Sequence, residues 1–271
     1  MTKKKDTANN ADAGKAAGSA PAGTAASNLP LFYNDPQPLD AKKHANLGLK
    51  KNFGLGFTSK VNAIPVNLIE MPQICHYYPI AFSPDDNATP VAILGVRNDE
   101  NLFLNKDGTW NGESFYIPAY IRRYPFIFSE MPGSEQLSLC VDMDKDLIEE
   151  GGEQKFFNEE GKPSPLAENA LEFCKSYHAA ARQTVEFSKW LVEADLLVAR
   201  EAQINSGDNT RINFSGFKII DEKKLAELPD DKIIELHKKG WLPFVYAHLF
   251  SGAQWQRLTA LLKERTEKKA A

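Results

Sequence analysis

GESFYIPAYIRRYPFIFSEM, residues 112–131, is the densest aromatic run of the chain and carries two adjacent arginines, Arg122 and Arg123, at its centre. Its apolar flanks predict that the segment is buried, and a buried guanidinium needs a carboxylate, phosphate or carbonyl partner. We therefore interpret the run either as the polar anchor of a core or as the floor of a binding site.

The two prolines of this run predict its local structure. Pro118 suits the first turn of a short helix over residues 119–123, and Pro125 requires an extended exit from that helix. On such a helix the side chains of Arg122 and Arg123 point about 100° apart. We expect one arginine to anchor the structure and the other to be more exposed.

A short pattern occurs twice around this region. YPIAFS at residues 78–83 is matched without a gap by YPFIFS at residues 124–129. A polar turn and a second apolar strand follow each copy, so both units are predicted to be β-hairpins. An internal duplication and a chance likeness of two ordinary hairpins both explain the match.

The rest of the N-terminal half predicts further antiparallel strands with short turns. Residues 62–66 read as an edge strand because Pro65 cannot donate to a central ladder. A buried strand at residues 91–96 and a returning strand at residues 102–104 would form a meander, with Gly108 in the turn that follows.

The C-terminal half changes to helical periodicity. Ser164 is placed to cap a long helix that has Pro165 at its first position and runs to Glu193. Asp221 is placed to cap a shorter helix, and Trp241 begins a strongly apolar stretch. Helical spacing predicts a buried stripe on the long helix, made of Leu166, Ala170, Cys174, Tyr177, Ala181, Val185, Ser188 and Val192.

These patterns predict an α+β protein with an antiparallel β-rich N-terminal half packed against a helical C-terminal half. Residues 1–28 are polar and low in complexity, so we expect a disordered arm. Residues 29–262 are expected to form a single domain, and residues 263–271 a charged, solvated tail.

Composition limits the class of protein further. The formal net charge of -4 disfavours a nucleic-acid binder, whose interaction surface is basic. Three widely spaced cysteines predict neither a disulfide framework nor a thiolate zinc site. No segment has the length of apolar residues that a membrane span requires, and a cytoplasmic location is expected.

Known catalytic motifs are missing from the sequence. It contains no P-loop, no Rossmann glycine pattern, no His-Glu-x-x-His pair and no Gly-x-Ser-x-Gly nucleophile elbow. Paired carboxylates such as Glu159-Glu160 lie in polar stretches, where solvation is the better explanation than catalysis. We therefore predict no catalytic residue, no metal site and no cofactor.

Several motifs, in order along the chain, resemble SapC-family proteins. The resemblance covers about residues 29–258 and is carried by LFYNDPQPL (31–39) with His44 and Leu47, PVAILGVR (90–97), NLF (101–103), GTW (108–110), IPAYIRRYPF (117–126), GF (216–217), DEKKL (221–225) and YAHL (246–249). The resemblance implies that the gene of this protein lies beside genes of surface-layer proteins, TonB-dependent receptors or flavin-dependent halogenases. It brings no established reaction and no established catalytic residues.

Two functions remain open from the sequence. The first is a non-catalytic accessory or binding protein of surface-layer or outer-membrane transport systems, with a protein partner from that gene neighbourhood. The alternative is an enzyme or small-molecule binder of unrecognised type that holds an anionic ligand through an arginine fork and a histidine. The candidate residues for its site are Arg122, Arg123, Tyr124, Tyr246 and His248.

Overall fold

The computed structural model describes residues 17–19, 29–51, 53–112, 115–130, 137–206 and 211–270. These residues form mainly antiparallel sheets that are concentrated in the N-terminal half and helices that are concentrated in the C-terminal half, so the predicted α+β class is confirmed. The disordered arm predicted for residues 1–28 lies outside the described residues, apart from Ala17–Ser19.

The largest sheet joins strands from both halves of the chain. Its strands are β1 (Ala17–Ser19), β4 (Ala63–Pro65), β5 (Ile80–Phe82), β6 (Pro90–Ile93), β11 (Leu197–Asn205) and β12 (Arg211–Ile220). The β5–β6 hairpin meets the long β11–β12 hairpin where Lys218 pairs with Phe82. Strand β1 pairs with β12 in parallel. Among the described strands, β4 pairs only with β6, which confirms the predicted edge strand.

Two smaller sheets lie outside this one. The first contains β2 (Pro36–Pro38), β7 (Phe126–Glu130) and β8 (Leu137–Asp142), and the second contains β3 (Leu47–Leu49), β9 (Ile148–Glu150) and β10 (Gln154–Lys155). Gly48, at the centre of β3, lies between two partner strands. A Cβ atom at this position would overlap the backbone of Gln154, so glycine permits the close pairing of β3 with β10.

Both predicted Tyr-Pro hairpins are present, as β5–β6 and β7–β8. They belong to different sheets, and their registers differ. Ile80 pairs with Ala92 in the first hairpin, whereas the matching Phe126 pairs with Val141, three residues beyond the position that the sequence match requires. Residues 131–136 of the second turn lie outside the described residues. Whether the hairpins arose by duplication stays a prediction.

The predicted returning strand at residues 102–104 is wrong. Leu104 makes a single antiparallel bridge to Trp110, and the Leu102 amide donates to the Leu94 carbonyl. The Asn101 side chain accepts from the Phe103 amide at 2.9 Å. Because this side chain satisfies a backbone donor that a ladder would otherwise use, the segment remains a buried loop.

The helices are α1 (Met71–Ile74), α2 (Ala119–Arg123), α3 (Pro165–Glu193), α4 (Glu222–Ala226), α5 (Asp230–Lys238), α6 (Leu242–Ser251) and α7 (Gln254–Ala270). The predicted caps of α3 and α4 are confirmed. Ser164 Oγ accepts from the Ala167 amide, and Asp221 accepts from two amides of the first turn of α4. No described helix is both long and apolar enough to span a bilayer.

The stripe predicted on α3 is correct only in part. Cys174 and Ser188 are buried, but Val185 is 67% exposed and Val192 is 41% exposed. The buried face of the second half instead includes Thr184, whose hydroxyl oxygen accepts from the Leu68 amide at 2.8 Å. A tertiary hydrogen bond, rather than apolar spacing alone, therefore sets the rotation of this helix.

In the part of the chain that the structure describes, the core has one large part and two small parts. The large part lies between the largest sheet, the second half of α3 and helices α6 and α7. A small cluster lies between the other two sheets and the first half of α3, and another surrounds Tyr33, Tyr124 and Leu147. Helix α2 packs against α3 between these parts, because Ile121 belongs to the large core and Tyr124 to a small cluster.

Candidate functional site

The arginine pair lies on α2, which forms as the two prolines predict. Pro118 precedes the first residue of the helix, and extended backbone at Tyr124 ends it, followed by a cis peptide bond to Pro125. The two arginines face different surroundings: Arg122 is exposed, and Arg123 is half-buried. In the described residues no Asp or Glu oxygen lies within 4.0 Å of either guanidinium.

Arg122 is held at the surface by two hydrogen bonds and two rings. Its Nε donates to the Ile117 carbonyl at 2.9 Å, and its Nη2 donates to the Tyr116 hydroxyl oxygen at 2.9 Å. The guanidinium carbon lies 5.2 Å from the ring centroids of both Tyr116 and Phe173. The remaining N–H groups have no partner in the described part of the chain, so a fixed cation with free donors faces solvent.

The buried Glu70 carboxylate holds the residues that position Arg122. Glu70 is 5% exposed, and its Oε1 accepts from the Tyr116 hydroxyl at 2.7 Å and from the Ala119 amide at 2.6 Å. Its Oε2 accepts from the Asn67 amide at 3.2 Å. Burial and the hydrogen bond to Glu70 raise the pKa of Tyr116 to about 12. Glu70 therefore fixes both the start of α2 and the phenol that orients Arg122.

Arg123 lies among three phenol rings, which we call the tyrosine cage: Tyr33, Tyr120 and Tyr177. The guanidinium carbon is 5.7, 4.8 and 4.3 Å from their respective centroids. Burial by itself would lower the pKa of Arg123, but the phenol oxygens of the cage outweigh it and raise that pKa. The same burial raises the pKa of the neighbouring Cys174 thiol to about 11, so this thiol is protonated at neutral pH.

Tyr124 has a structural partner beside the cage. Its hydroxyl donates to Asp142 Oδ2 at 2.9 Å, and Asp142 Oδ1 accepts from the amides of Asn34 and Asp35 at 3.0 and 2.6 Å. Asp142 has no exposed surface. Burial and the hydrogen bond to Asp142 raise the pKa of Tyr124. These bonds connect the N-terminal residues, α2 and β8.

The other two predicted site residues lie on α6. His248 is 5% exposed, its Nε2 accepts from the Ile220 amide at 3.1 Å, and burial lowers its pKa to about 4. Tyr246 is 48% exposed and stacks on Phe250. No contact in the described residues connects Tyr246 or His248 with the arginines. The structure thus groups Arg122, Arg123 and Tyr124, and places Tyr246 and His248 elsewhere.

Several residues of the site were not predicted from the sequence. Tyr116 and Tyr120 lie in the aromatic run itself, so the density of tyrosines beside two arginines was a usable signal. Tyr33, Glu70 and Tyr177 are distant in sequence and belong to no motif that indicates an arginine site. Only the packing of α2 against α3 and the N-terminal residues brings them together.

These features define an α+β protein with an arginine–tyrosine site where α2 meets α3. It belongs to the SapC family, because the SapC family model matches residues 39–258, most of the chain. No curated protein and no solved structure matches it. Within the described residues, no group of three or more His, Cys, Asp or Glu side chains is arranged to hold a metal ion.

Proposed function

We propose that this protein is a non-catalytic accessory protein that binds a protein partner from a surface-layer or outer-membrane transport system. The observation that carries the proposal is the exposed Arg122 side chain, whose guanidinium lies 5.2 Å from the Tyr116 and Phe173 ring centroids and keeps N–H groups without a partner in the described residues. A preorganised arginine loses little side-chain entropy on binding, and its planar fork matches a carboxylate. The partner surface would accordingly present Asp or Glu.

The resemblance to SapC proteins supports the identity of the partner. Genes of that family lie beside those of surface-layer proteins, TonB-dependent receptors and flavin-dependent halogenases. A binding role also agrees with the surroundings of the one histidine among the candidate residues. His248 is buried, accepts a backbone hydrogen bond and has a pKa of about 4, which does not suit a general base at neutral pH.

Affinity capture with a matched arginine control tests the proposal. The full chain, Arg122→Gln and Arg182→Gln would each be used to capture the separately expressed products of the neighbouring genes. Arg182 is an exposed arginine of α3 with no partner in the described residues. We expect Arg122→Gln to weaken retention of one such product by at least about 10-fold, as for an interface anchor, and Arg182→Gln to leave it unchanged.

Two results would count against the proposal. One is that no neighbouring gene product is retained by the full chain at micromolar concentration. The other is that Arg122→Gln and Arg182→Gln retain the partner equally well. Circular dichroism of both variants would verify that the fold is intact.

A further inference from the structure

Arg123 has fewer polar partners than a half-buried cation normally has. Its Nε is buried and has no hydrogen-bond partner in the described residues, and no carboxylate oxygen lies within 4.0 Å of the guanidinium there. The Tyr33 and Tyr120 hydroxyl oxygens lie close enough to interact with the guanidinium, but two phenol oxygens and the ring faces do not supply an acceptor for each N–H group. An unsatisfied buried donor costs about 1–3 kcal/mol, so this arginine favours an added acceptor.

The three phenols of the cage differ in how their hydroxyl hydrogens are used. Tyr33 donates to the Phe126 carbonyl at 2.6 Å, and Tyr120 donates to the Leu31 carbonyl at 3.2 Å. The Tyr177 hydroxyl has no hydrogen-bond partner in the described part of the chain. Its ring is also the closest to Arg123, at 4.3 Å. One free phenol donor therefore lies beside the arginine.

Exposure shows from which side a ligand could approach. Tyr33 and Tyr120 are 3% and 6% exposed and close the inner side of the cage. Arg123 and Tyr177 are both half-buried, so they retain a solvent-facing side where α2 packs against α3. A ligand would therefore approach the guanidinium from the side of Tyr177.

The geometry points to a binding site for a small oxyanion, a phosphate or carboxylate group, held by the Arg123 guanidinium and the Tyr177 hydroxyl. The guanidinium fork matches the oxygens of both groups, and the phenol supplies a further donor. The neighbouring Glu70 carboxylate does not compete for Arg123, because its oxygens already accept from Tyr116, Ala119 and Asn67. The anion site uses Arg123, whereas the proposed partner surface uses Arg122. An experiment can therefore disprove either proposal while the other still holds.

Isothermal titration of the full chain at pH 7.5 with inorganic phosphate and, separately, with acetate tests this site and distinguishes the two oxyanions. We expect saturable binding of at least one of them with a Kd of about 1 mM or tighter. Tyr177→Phe, which removes only the hydroxyl, should weaken binding by about 10-fold, as expected for a hydrogen bond to a charged group. Tyr246→Phe is the control, because Tyr246 lies on α6 away from the arginines and its hydroxyl has no partner in the described residues, so this variant should bind within about 2-fold of wild type.

Two further variants complete the test. Arg123→Lys should weaken binding by at least about 10-fold, because an ammonium lacks the planar fork. Arg122→Gln should leave anion binding unchanged, which separates this site from the proposed partner surface. Absence of saturable binding of both anions up to about 20 mM would overturn the assignment, since such affinity is below that of a specific site. Equal affinities of Tyr177→Phe and Tyr246→Phe would overturn it as well. If Arg123→Lys does not fold, the comparison of Tyr177→Phe with Tyr246→Phe still tests the site.

Discussion

At the scale of single residues, Arg122 and Arg123 show how neighbours in sequence acquire different roles. A helix of one turn directs their side chains to different sides, so Arg122 meets solvent and Arg123 meets the tyrosine cage. The sequence predicted this division, because Pro118 and Pro125 define the helix. It did not predict which arginine would be exposed, since that depends on residues of α3.

Tyr124 is expected to act through structure rather than ligand binding. Tyr124→Phe removes the donor to the buried Asp142 carboxylate while keeping the ring. We expect the free energy of unfolding to fall by about 1.5–3 kcal/mol, the range for hydrogen bonds to charged groups. Urea unfolding measures this, with Tyr246→Phe as the control, because Tyr246 is half-exposed and its hydroxyl has no partner in the described residues. Equal stability of the two variants would contradict a structural role for the Tyr124 hydroxyl.

His248 is expected to make stability depend on pH. Its pKa is about 4 in the folded protein and about 6.5 when unfolded, so between these values the unfolded chain binds the extra proton. Stability from this residue is complete above pH 6.5 and is lost as the pH falls towards 4. Between pH 7.5 and 5.5 we expect wild type to lose about 1.4 kcal/mol more than His248→Gln, in which no imidazole titrates.

Urea unfolding at the two pH values measures this difference. Burial also lowers the pKa of His44, but His44 is present in both proteins, so its contribution cancels in the comparison. An identical pH dependence of wild type and His248→Gln would show that the histidine is protonated equally in the folded and unfolded states.

At the scale of elements, local chemistry predicted where helices and strands begin more successfully than how they pack. Ser164, Pro165 and Asp221 define helix starts through bonds within a few residues, so these predictions are confirmed. The stripe on α3 fails at Val185 because a long-range bond between Leu68 and Thr184 sets the rotation of the helix. No local pattern in the sequence around Leu68 or Thr184 predicts that these two residues are in contact.

Strand β3 supplies a test of close strand packing. Gly48→Ala would place a Cβ atom within the backbone of Gln154 on β10, so the two strands must separate. We expect a loss of at least about 2 kcal/mol in the free energy of unfolding. Gly56→Ala is the matched control, because a Cβ there meets nothing within 4 Å, and its effect should remain within about 1 kcal/mol. Thermal or urea unfolding of both variants measures the contrast, and an equal effect would mean that β3 and β10 are not closely paired.

At the scale of the whole molecule, the candidate site depends on contacts that cross the chain. Tyr33 bonds to Phe126, 93 residues away, and Glu70 bonds to Ala119, 49 residues away. Composition and periodicity could therefore predict the α+β class and the arginine pair, but not the carboxylate and the cage that surround the pair. For the same reason Tyr246 and His248, predicted for this site as polar residues of an apolar stretch, occupy a different part of the fold.

The C-terminal helix also makes contacts that cross the chain, and one set of them involves the tail predicted at residues 263–271. Arg265 belongs to that stretch, yet α7 continues through it, and the Arg265 guanidinium donates to the carbonyls of Asn101, Leu102 and Leu104 at 2.6, 3.3 and 2.6 Å. These carbonyls belong to the buried loop that replaces the predicted strand. The loop has few ladder hydrogen bonds of its own. The Arg265 guanidinium therefore satisfies carbonyl groups that a neighbouring strand would otherwise bond.

Arg265→Gln should therefore destabilise the protein by about 2–4 kcal/mol, since charged donors to three buried carbonyls are lost together. Lys268→Gln, one turn further along α7, is the control, because Lys268 is exposed and has no partner in the described residues. Hydrogen exchange should localise the effect: the amides of Leu102 and Asn111, which bond to carbonyls across the loop, should exchange faster in Arg265→Gln and normally in Lys268→Gln. If a chain truncated after Leu262 keeps wild-type stability and exchange, Arg265 does not secure the loop and the last turns of α7 are dispensable.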